Sequence, residues 1–373
     1  MAKTTALRCF AELQAKGDEN TLDMNLYTST VQAHIIVTLM SGPGQSFKTL
    51  EYTDLNSGES SQISLAEFFD KLLTDIMARM MMNPLVMMHE YFNDNVILAS
   101  DKYYFKNCQS IRTFIGSIID EKKAAKDSSA SDVISLILQD ENYQATEDII
   151  DDVIVMYFAG SKTVQTATTN LISTMQFEPE EYARLRSEID PFMDKVKGDI
   201  MGKMDLESLN ELEFVKFCYM ETMRRNQPAF SSSTSTMTRD VNIQGINLFA
   251  GEPFYTLFDC ISNDPEQWIE PDLFKPDRFD SGSSWYKKPD GGKRSPFAFT
   301  PFSGGVRVCL GKTFAEYTLK VMIPLWFHFF DFELVNEEQR KTRPVVYIGS
   351  TSPLEVTMKL KTRNKVPTEQ IAK

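Results

Sequence analysis

Apolar positions recur at helical spacing over much of the first two thirds of the chain. Residues 1–40 predict helices, interrupted by a turn and a helix start at 18–22. Residues 64–90 and 95–125 predict two more helices. The longest helical candidate is 146–176. Thr146 can cap it, and Glu147 and Asp148 suit the positive end of its dipole. Its stretch 153–159 is apolar nearly all round, which predicts a buried helix. Residues 178–193 form an amphipathic pattern with an acidic start, and 205–225 predict one further helix. The polar, Gly- and Ser-containing stretch 41–62 reads as a loop.

The pattern changes near residue 230. Segments 241–248 and 253–257 are strand-like, punctuated by Gly245 and Gly251. Residues 264–308 carry Pro265, Pro271, Pro276, Pro289, Pro296 and Pro301 among many turn residues, which predicts a long loop. A loop of that length inside a compact domain is usually functional. Helical spacing returns over 311–328, and 331–335 and 354–360 predict strands. The expected fold is mainly α with a small β component. Residues 1–228 should be mostly helical and 229–373 mixed β and loop. No repeat, low-complexity tract or linker divides the chain, so one domain over 1–373 is expected.

The composition narrows the function classes. The chain has 39 Lys and Arg against 52 Asp and Glu, a net charge of -13, which argues against general nucleic-acid binding. Its 42% hydrophobic and 11% aromatic content allows a large core. Cys9, Cys108, Cys218, Cys260 and Cys309 are scattered, with no CxxC pair, so neither a disulfide framework nor a structural zinc site is indicated. His34, His89 and His328 lie far apart and lack HExxH spacing, which excludes that zinc chemistry. No apolar run is long enough to span a bilayer, and the first residues lack a signal-peptide core. The methionine-rich stretch 80–88 reads either as core packing or as the wall of an apolar ligand pocket.

The segment 301–313 carries the most chemistry. Three readings compete for it. Gly311-Lys312-Thr313 suits the end of a phosphate loop, but the glycine required five positions earlier is Val306, so that reading fails. A structural cysteine in a turn leaves the surrounding glycines, Arg307 and Phe302 unexplained. A haem-thiolate loop assigns each of them a task. Cys309 supplies an axial thiolate to iron. Gly305 permits a tight turn, and Gly311 lets the following helix start close to the metal. Backbone N–H groups and the helix N-terminus stabilise the sulfur charge. Phe302 shields the sulfur from water, and Arg307 pairs with a propionate.

Phe302-x-x-Gly305-x-Arg307-x-Cys309-x-Gly311 resembles the haem-binding signature of the cytochrome P450 family. Other segments support the resemblance in the same order. Glu221-Thr222-Met223-Arg224 is similar to the family's ExxR helix; an ordinary surface pair would share its i, i+3 spacing. Pro276-Asp277-Arg278-Phe279 is similar to the family's PERF segment. Together they imply a Glu221–Arg224–Arg278 cluster that locks the loop carrying the cysteine, which spans 299–311. Ala159-Gly160-Ser161-Lys162-Thr163 resembles the oxygen-activation motif of the central helix. There Gly160 would open a kink, and Thr163 would hydrogen-bond dioxygen or its water. A small-residue packing stripe is the competing reading of that stretch.

The resemblance implies a P450-like fold lacking its N-terminal part, with haem b between the Cys309 loop and the helix carrying Gly160 and Thr163. It implies a monooxygenase that inserts one oxygen atom from O2 into a small apolar substrate. An NADPH-dependent reductase would donate the electrons. A surface of Lys216, Lys287, Lys288, Lys293, Arg294 and Lys312 would receive that reductase. A longer form is expected at the cytosolic face of the endoplasmic reticulum membrane. The chain as given carries no anchor and is expected to be soluble.

Three departures from the family pattern stand out. Lys162 occupies the position where the family usually has the Asp or Glu of its proton relay. The family's N-terminal region, with a tryptophan and an arginine that bind propionate, has no counterpart. Ser235 falls where the family commonly has another propionate-binding basic residue. Arg307 would then hold the propionates almost alone, so weakened haem retention is expected. The alternatives are a haem-thiolate isomerase or dehydratase, and a non-catalytic chain that binds haem poorly.

Overall fold

The computed structural model describes residues 1–373 except 18–20, 83–84, 89, 126–130, 144, 233, 244, 344–352 and 372–373. In chain order the first elements are α1 (Ala2–Ala15), β1 (Thr21–Asp23), α2 (Met24–Ser41), β2 (Thr49–Thr53), β3 (Ser60–Ser64) and α3 (Leu65–Met82). Next come α4 (Leu85–Met88), α5 (Glu90–Asp94), α6 (Ala99–Ala125), α7 (Val133–Ile137) and α8 (Thr146–Phe177). The second half holds α9 (Pro179–Val196), α10 (Ile200–Lys203), α11 (Leu206–Leu209), α12 (Glu213–Arg225), β4 (Ser235–Thr236), β5 (Val241–Ile243), β6 (Ile246–Leu248) and β7 (Pro253–Phe254). It ends with α13 (Phe258–Ser262), α14 (Lys312–Phe329), β8 (Phe330–Leu334) and β9 (Thr357–Thr362). The mainly α composition with small sheets is as the hydrophobic pattern predicts.

The chain divides into two compact units. One comprises Met1–Glu12, Tyr27–Lys162 and Pro367–Lys373; the other comprises Leu13–Leu26 and Thr163–Val366. In the first unit, α3 packs on α6 and on the antiparallel β2–β3 hairpin. Phe68, Phe69, Leu72, Ile111, Ile115 and Ile118 are buried there. In the second unit, α9, α12 and α14 pack together, and β8 continues from α14 into an antiparallel sheet ordered β1-β9-β8.

Two helices of the second unit illustrate why the chain folds as it does. Pro179 opens α9, with Glu180 and Glu181 in its first turn. Its buried Leu185, Ile189, Phe192, Met193 and Val196 recur at helical spacing, as its amphipathic pattern predicts. In α14 every residue from Thr318 to Phe329 is buried except Lys320. A helix apolar all round belongs inside the core, where each large side chain contributes roughly 1.5–3 kcal/mol of transfer free energy.

The structure corrects four expectations. Residues 21–23 are a strand paired with Thr357–Lys359, not a helix start; α2 begins at Met24. The stretch 41–62 is not all loop, because β2 and most of β3 lie in it. Leu50 and Tyr52 of β2 are buried while Thr49 and Glu51 are exposed, the alternation of a half-buried strand. The helix expected over 205–225 is two, since Asp205 and Ser208 form a capping box that starts the short α11, and Asn210 ends it. The stretch 153–159 of α8 is not buried all round: Val153 and Tyr157 are inaccessible, but Val155 is 63% exposed.

The reading of 80–88 as core packing or a pocket wall rests largely on side chains outside the described set, those of 81–84 and 87–88. Among the described residues no helix is long and apolar enough to cross a membrane.

Candidate functional site

The chemistry-bearing loop of the second unit runs into α14. Cys309 N–H donates to the Phe302 carbonyl at 2.9 Å, which closes the loop 302–309 on itself. Two residues inside it adopt left-handed backbone, Ser303 at φ 61 and Gly305 at φ 69. The glycine at 305 is therefore required by backbone sterics, as the motif suggested. Ser303 pays a strain that nothing in its local sequence announces. A Gly305–Arg307 turn follows, with Val308 N–H donating to the Gly305 carbonyl at 3.2 Å.

Gly311 is the N-cap of α14, and Ala315 N–H donates to its carbonyl at 2.8 Å. A Cβ added at Gly311 would lie 3.8 Å from Cys309 Sγ, so the sulfur sits beside the N-terminus of this 18-residue helix. That end carries the partial positive charge of the helix dipole, which suits an anionic sulfur ligand. Cys309 is exposed and free. Val306, Val308 and Leu310, the apolar residues flanking it, are exposed as well. Among the described residues, the exposed Arg307 makes no hydrogen bond or ion pair. Phe302 is half-buried.

The same unit holds a fully buried ionic cluster. Glu221 and Arg224, on α12, and Arg278, in a short 3-10 turn at Pro276–Phe279, are each 0% exposed. Arg224 donates to Glu221 through Nε to Oε2 at 2.8 Å and through Nη2 to Oε1 at 2.9 Å. Arg278 Nε donates to the same Oε1 at 3.1 Å, and Lys275 N–H at 2.9 Å. The remaining guanidinium N–H groups satisfy loop carbonyls: Arg224 bonds those of Ser262 and Pro271, and Arg278 those of Ile269 and Glu270. One carboxylate thus gathers two guanidiniums, and these bind the backbone of 262–273. The i, i+3 pair read from the sequence is a core feature, not a surface pair.

A second clamp holds the same turn. Arg184 of α9 makes a two-bond contact with Asp277 at 2.7 and 2.9 Å, which lowers the Asp277 carboxyl below its ordinary pKa and raises that of Arg184. Arg294, placed by the sequence on a basic surface, lies instead over the Trp268 ring at 4.2 Å and donates to the Arg278 carbonyl. It is half-buried there, and burial lowers its pKa to about 10.

In the first unit, the segment of α8 around Gly160 has partners that no local motif could reveal. The helix is continuous through Gly160 and Thr163. Gln32 of α2, itself buried, donates through Nε2 to the Gly160 carbonyl at 3.0 Å. Lys162 Nζ pairs with the Asp70 carboxylate of α3 and lies 3.3 Å from Ser29 Oγ of α2. Ser29 Oγ donates to Asp70 Oδ1 at 2.6 Å. The lysine that breaks the family pattern is thus matched by an acid from another helix.

The chain is similar to known proteins along most of its length. A family model for cytochrome P450 matches residues 7–355. Cytochrome P450 18a1 of Drosophila melanogaster is 27% identical over 191 residues, 50% of this chain and 33% of that protein. Cytochrome P450 4F8 of Homo sapiens is 26% identical over 271 residues, 65% of this chain and 48% of that protein. The alignments therefore cover between a third and a half of those relatives' length. Among solved structures, the haem domain of cytochrome P450DA matches with a TM-score of 0.74 at 17% identity, over 98% of this chain and 73% of that one. Retinoic acid-bound cyanobacterial CYP120A1 matches with a TM-score of 0.72 at 19% identity, over 96% and 73%. At such identities these likenesses speak for the fold, while the family match spans nearly the whole sequence. The chain belongs to the cytochrome P450 family.

Proposed function

We propose that this chain is the haem-binding part of a monooxygenase, with Cys309 as the axial ligand of haem b. The observation that carries the reading is the Cys309 loop. An exposed cysteine at a helix N-terminus is flanked in the chain by exposed Val306, Val308 and Leu310 and by Arg307, which has no partner among the described residues. This donor set fits a flat apolar ring with anionic edge groups. The ring would cover the three aliphatic side chains, and Arg307 would take a propionate. Ser235, at a position where the family commonly has a basic residue, supplies no charge there.

When bound, haem supplies the chemistry of dioxygen reduction, with the thiolate pushing electron density toward iron. The protein's own residues do the rest. Gly305 and the Cys309–Phe302 hydrogen bond fix the direction of the sulfur. Phe302 would shield one side of the sulfur, which is exposed here, once haem covers the other. The Glu221–Arg224–Arg278 cluster holds the preceding loop rigid, so the sulfur stays where the fold puts it. Thr163 would hydrogen-bond dioxygen or a water beside it, and Gly160 would leave room there. An NADPH-dependent reductase supplies electrons, and a small apolar compound is the substrate.

The test is the spectrum of the reduced, carbon monoxide-treated protein. A strongly red-shifted Soret band is expected and should vanish in Cys309→Ala; a normal haem spectrum in the unaltered protein would refute thiolate ligation. Product formation that requires both NADPH and O2 separates a monooxygenase from an isomerase or dehydratase acting on peroxides.

A further inference from the structure

The first unit holds a cavity of about 270 Å³ that shares no residue with the Cys309 loop or with the Gly160 segment. Its walls are the end of β2 with the turn that follows, α3, and the residues at the start of α6. The hairpin is fastened to α6. The buried Asn107 side chain accepts from Thr53 N–H at 2.9 Å and donates to the Thr53 carbonyl at 2.8 Å, as a neighbouring strand would. Gly58 has φ 72, and a Cβ there would lie 2.6 Å from Tyr103 Oη. The turn rests on α6 so closely that glycine is required. Walls fixed in this way keep a preformed space between them.

One buried acid faces that space. Asp75 of α3 lines the cavity and is only 8% exposed. Tyr52 Oη lies 2.9 and 3.1 Å from its two carboxylate oxygens. A hydroxyl carries one proton, so it serves one oxygen at a time. Asn107 adds a hydrogen bond from α6. Both donors are neutral, and among the described residues Asp75 makes no ion pair. A buried carboxylate without a counter-charge is costly. Arg79, in the same wall, is committed elsewhere. Its Nε donates to Asp101 at 2.9 Å, its Nη1 to Asn93, and its Nη2 to the carbonyls of Phe92 and Asn93. Lys71 lies over the Tyr52 ring at 5.4 Å but pairs with Glu67 at 3.8 Å. Asp54 brings a second carboxylate to the lining. The cavity is therefore short of positive charge, while Leu55, Ala78 and Leu98 give it an apolar side.

We propose that this cavity is a binding site for a small organic cation, one with N–H donors on a short apolar body, such as an ammonium or guanidinium compound. The head donates to the free acceptor sites of Asp75, and the body lies against Leu55, Ala78 and Leu98. The volume sets the size, since pockets for drug-sized ligands begin near about 300 Å³. A metal ion fits less well: among the described residues no three His, Cys, Asp or Glu side chains are grouped to hold one. The proposal does not depend on the reading of Cys309.

Protonation of Asp75 removes the attraction. Burial is the main cause that raises its carboxyl to about 6. The groups that face it are Tyr52 and Asp54 of the hairpin, Lys71 and Arg79 of its own helix, and Asn107, Tyr104 and Cys108 of α6. Burial pushes Tyr52, Tyr104 and Cys108 up, and the Ser57 and Asn56 amides hold Asp54 below its ordinary value. Among these acids, Asp75 alone changes charge between about pH 5 and about pH 7.5.

Isothermal titration calorimetry of the haem-loaded chain with n-butylguanidinium tests the proposal. That probe keeps its charge over the range and has no free lone pair with which to ligate iron. n-Butylurea, its uncharged isostere, is the control. A Kd below about 1 mM is expected at about pH 7.5, with n-butylurea at least about tenfold weaker. At about pH 5 only about a tenth of Asp75 is ionised, so binding should weaken about tenfold. Asp75→Asn keeps the size and the Tyr52 contact; it should lose about tenfold at about pH 7.5 and lose the pH dependence. Lys71→Met removes a like charge from the wall and should tighten binding by about twofold or more. If Asp75→Asn fails to fold, the pH series and Lys71→Met carry the test. No binding up to about 10 mM n-butylguanidinium overturns the proposal. So does n-butylurea bound equally well, a Kd that ignores pH, an unchanged Kd in Asp75→Asn, or a Lys71→Met chain that binds no more tightly.

Discussion

Glu221→Gln tests whether the buried Glu221–Arg224–Arg278 cluster holds the second unit together. The substitution keeps the shape and removes the charge. Glu221 Oε1 accepts from Arg224, Arg278 and the Lys275 amide, and Oε2 accepts from Arg224. An amide NH2 in either orientation turns at least one of these acceptors into a donor facing a donor. It also leaves two guanidiniums, both 0% exposed, without their counter-charge. Each lost charge-assisted bond costs about 1.5–3 kcal/mol, and breaking a buried ion pair by removing one partner costs about 3–5 kcal/mol. With Tm moving about 2 °C per kcal/mol in a chain of this size, a drop of about 6–10 °C is expected. Differential scanning calorimetry of the purified chain measures it. Arg278→Lys provides a graded second reading: it keeps the charge but loses the fork that reaches Ile269 and Glu270, so a smaller drop is expected. A shift under about 2 °C in Glu221→Gln would show that the cluster contributes little beyond what its removal relaxes.

Further predictions concern the loop, the cofactor and pH. Gly305→Ala meets no atom within 4 Å but must adopt φ near +69, so it should destabilise by about 1–2 kcal/mol, read from urea midpoints; no change would show that the turn relaxes freely. Arg307→Ala should speed haem loss on dialysis by about tenfold or more, since it removes a charge-assisted contact to propionate; retention equal to the unaltered chain would refute that role. His34 is buried against Phe47 with its Nδ1 unsatisfied, and burial lowers its pKa from 6.5 to about 4. The unfolded chain therefore binds a proton that the folded chain refuses between those values. Stability is fully present above pH 6.5 and falls as pH drops toward 4, by at most about 1.4 kcal/mol per pH unit from this residue. His34→Phe should flatten that part of the pH–stability curve, and a slope identical to the unaltered chain would count against it.

What was legible in the sequence was local. Phe302, Gly305, Arg307, Cys309 and Gly311 lie within one turn and the helix start that follows, so spacing alone implied a common task. Glu221 and Arg224 share a helix face, and the resemblance brought Arg278 to them; the structure joins all three. The strands fared worse. β1 is three residues long and is held by a partner at the far end of the chain. In β3 no residue is fully buried, so it lacks the apolar alternation that marks a strand, although β2 shows it. The partner of Lys162 could not be inferred, because an ion pair between distant helices leaves no periodic trace. Arg294 was misplaced for a related reason: proximity to other lysines suggested a surface, while the neighbouring indole and carbonyl that claim it come from the folded loop.

The pairing of β1 with β9 sets an order of events during synthesis. Residues 13–26 leave the ribosome long before the strand that receives Thr21–Asp23, which spans 357–362. Gln14 likewise waits for Asn364 and Val366, its hydrogen-bonding partners. Closing so long a loop adds little to the entropy cost, because each doubling of loop length costs only about 0.6 kcal/mol. The cost is time. Contacts of such separation slow folding and keep early segments exposed to chaperones and proteases. The second unit can close its sheet only after residues 357–362 have been made, while the loop carrying Cys309 is built from neighbours and can form ahead of it.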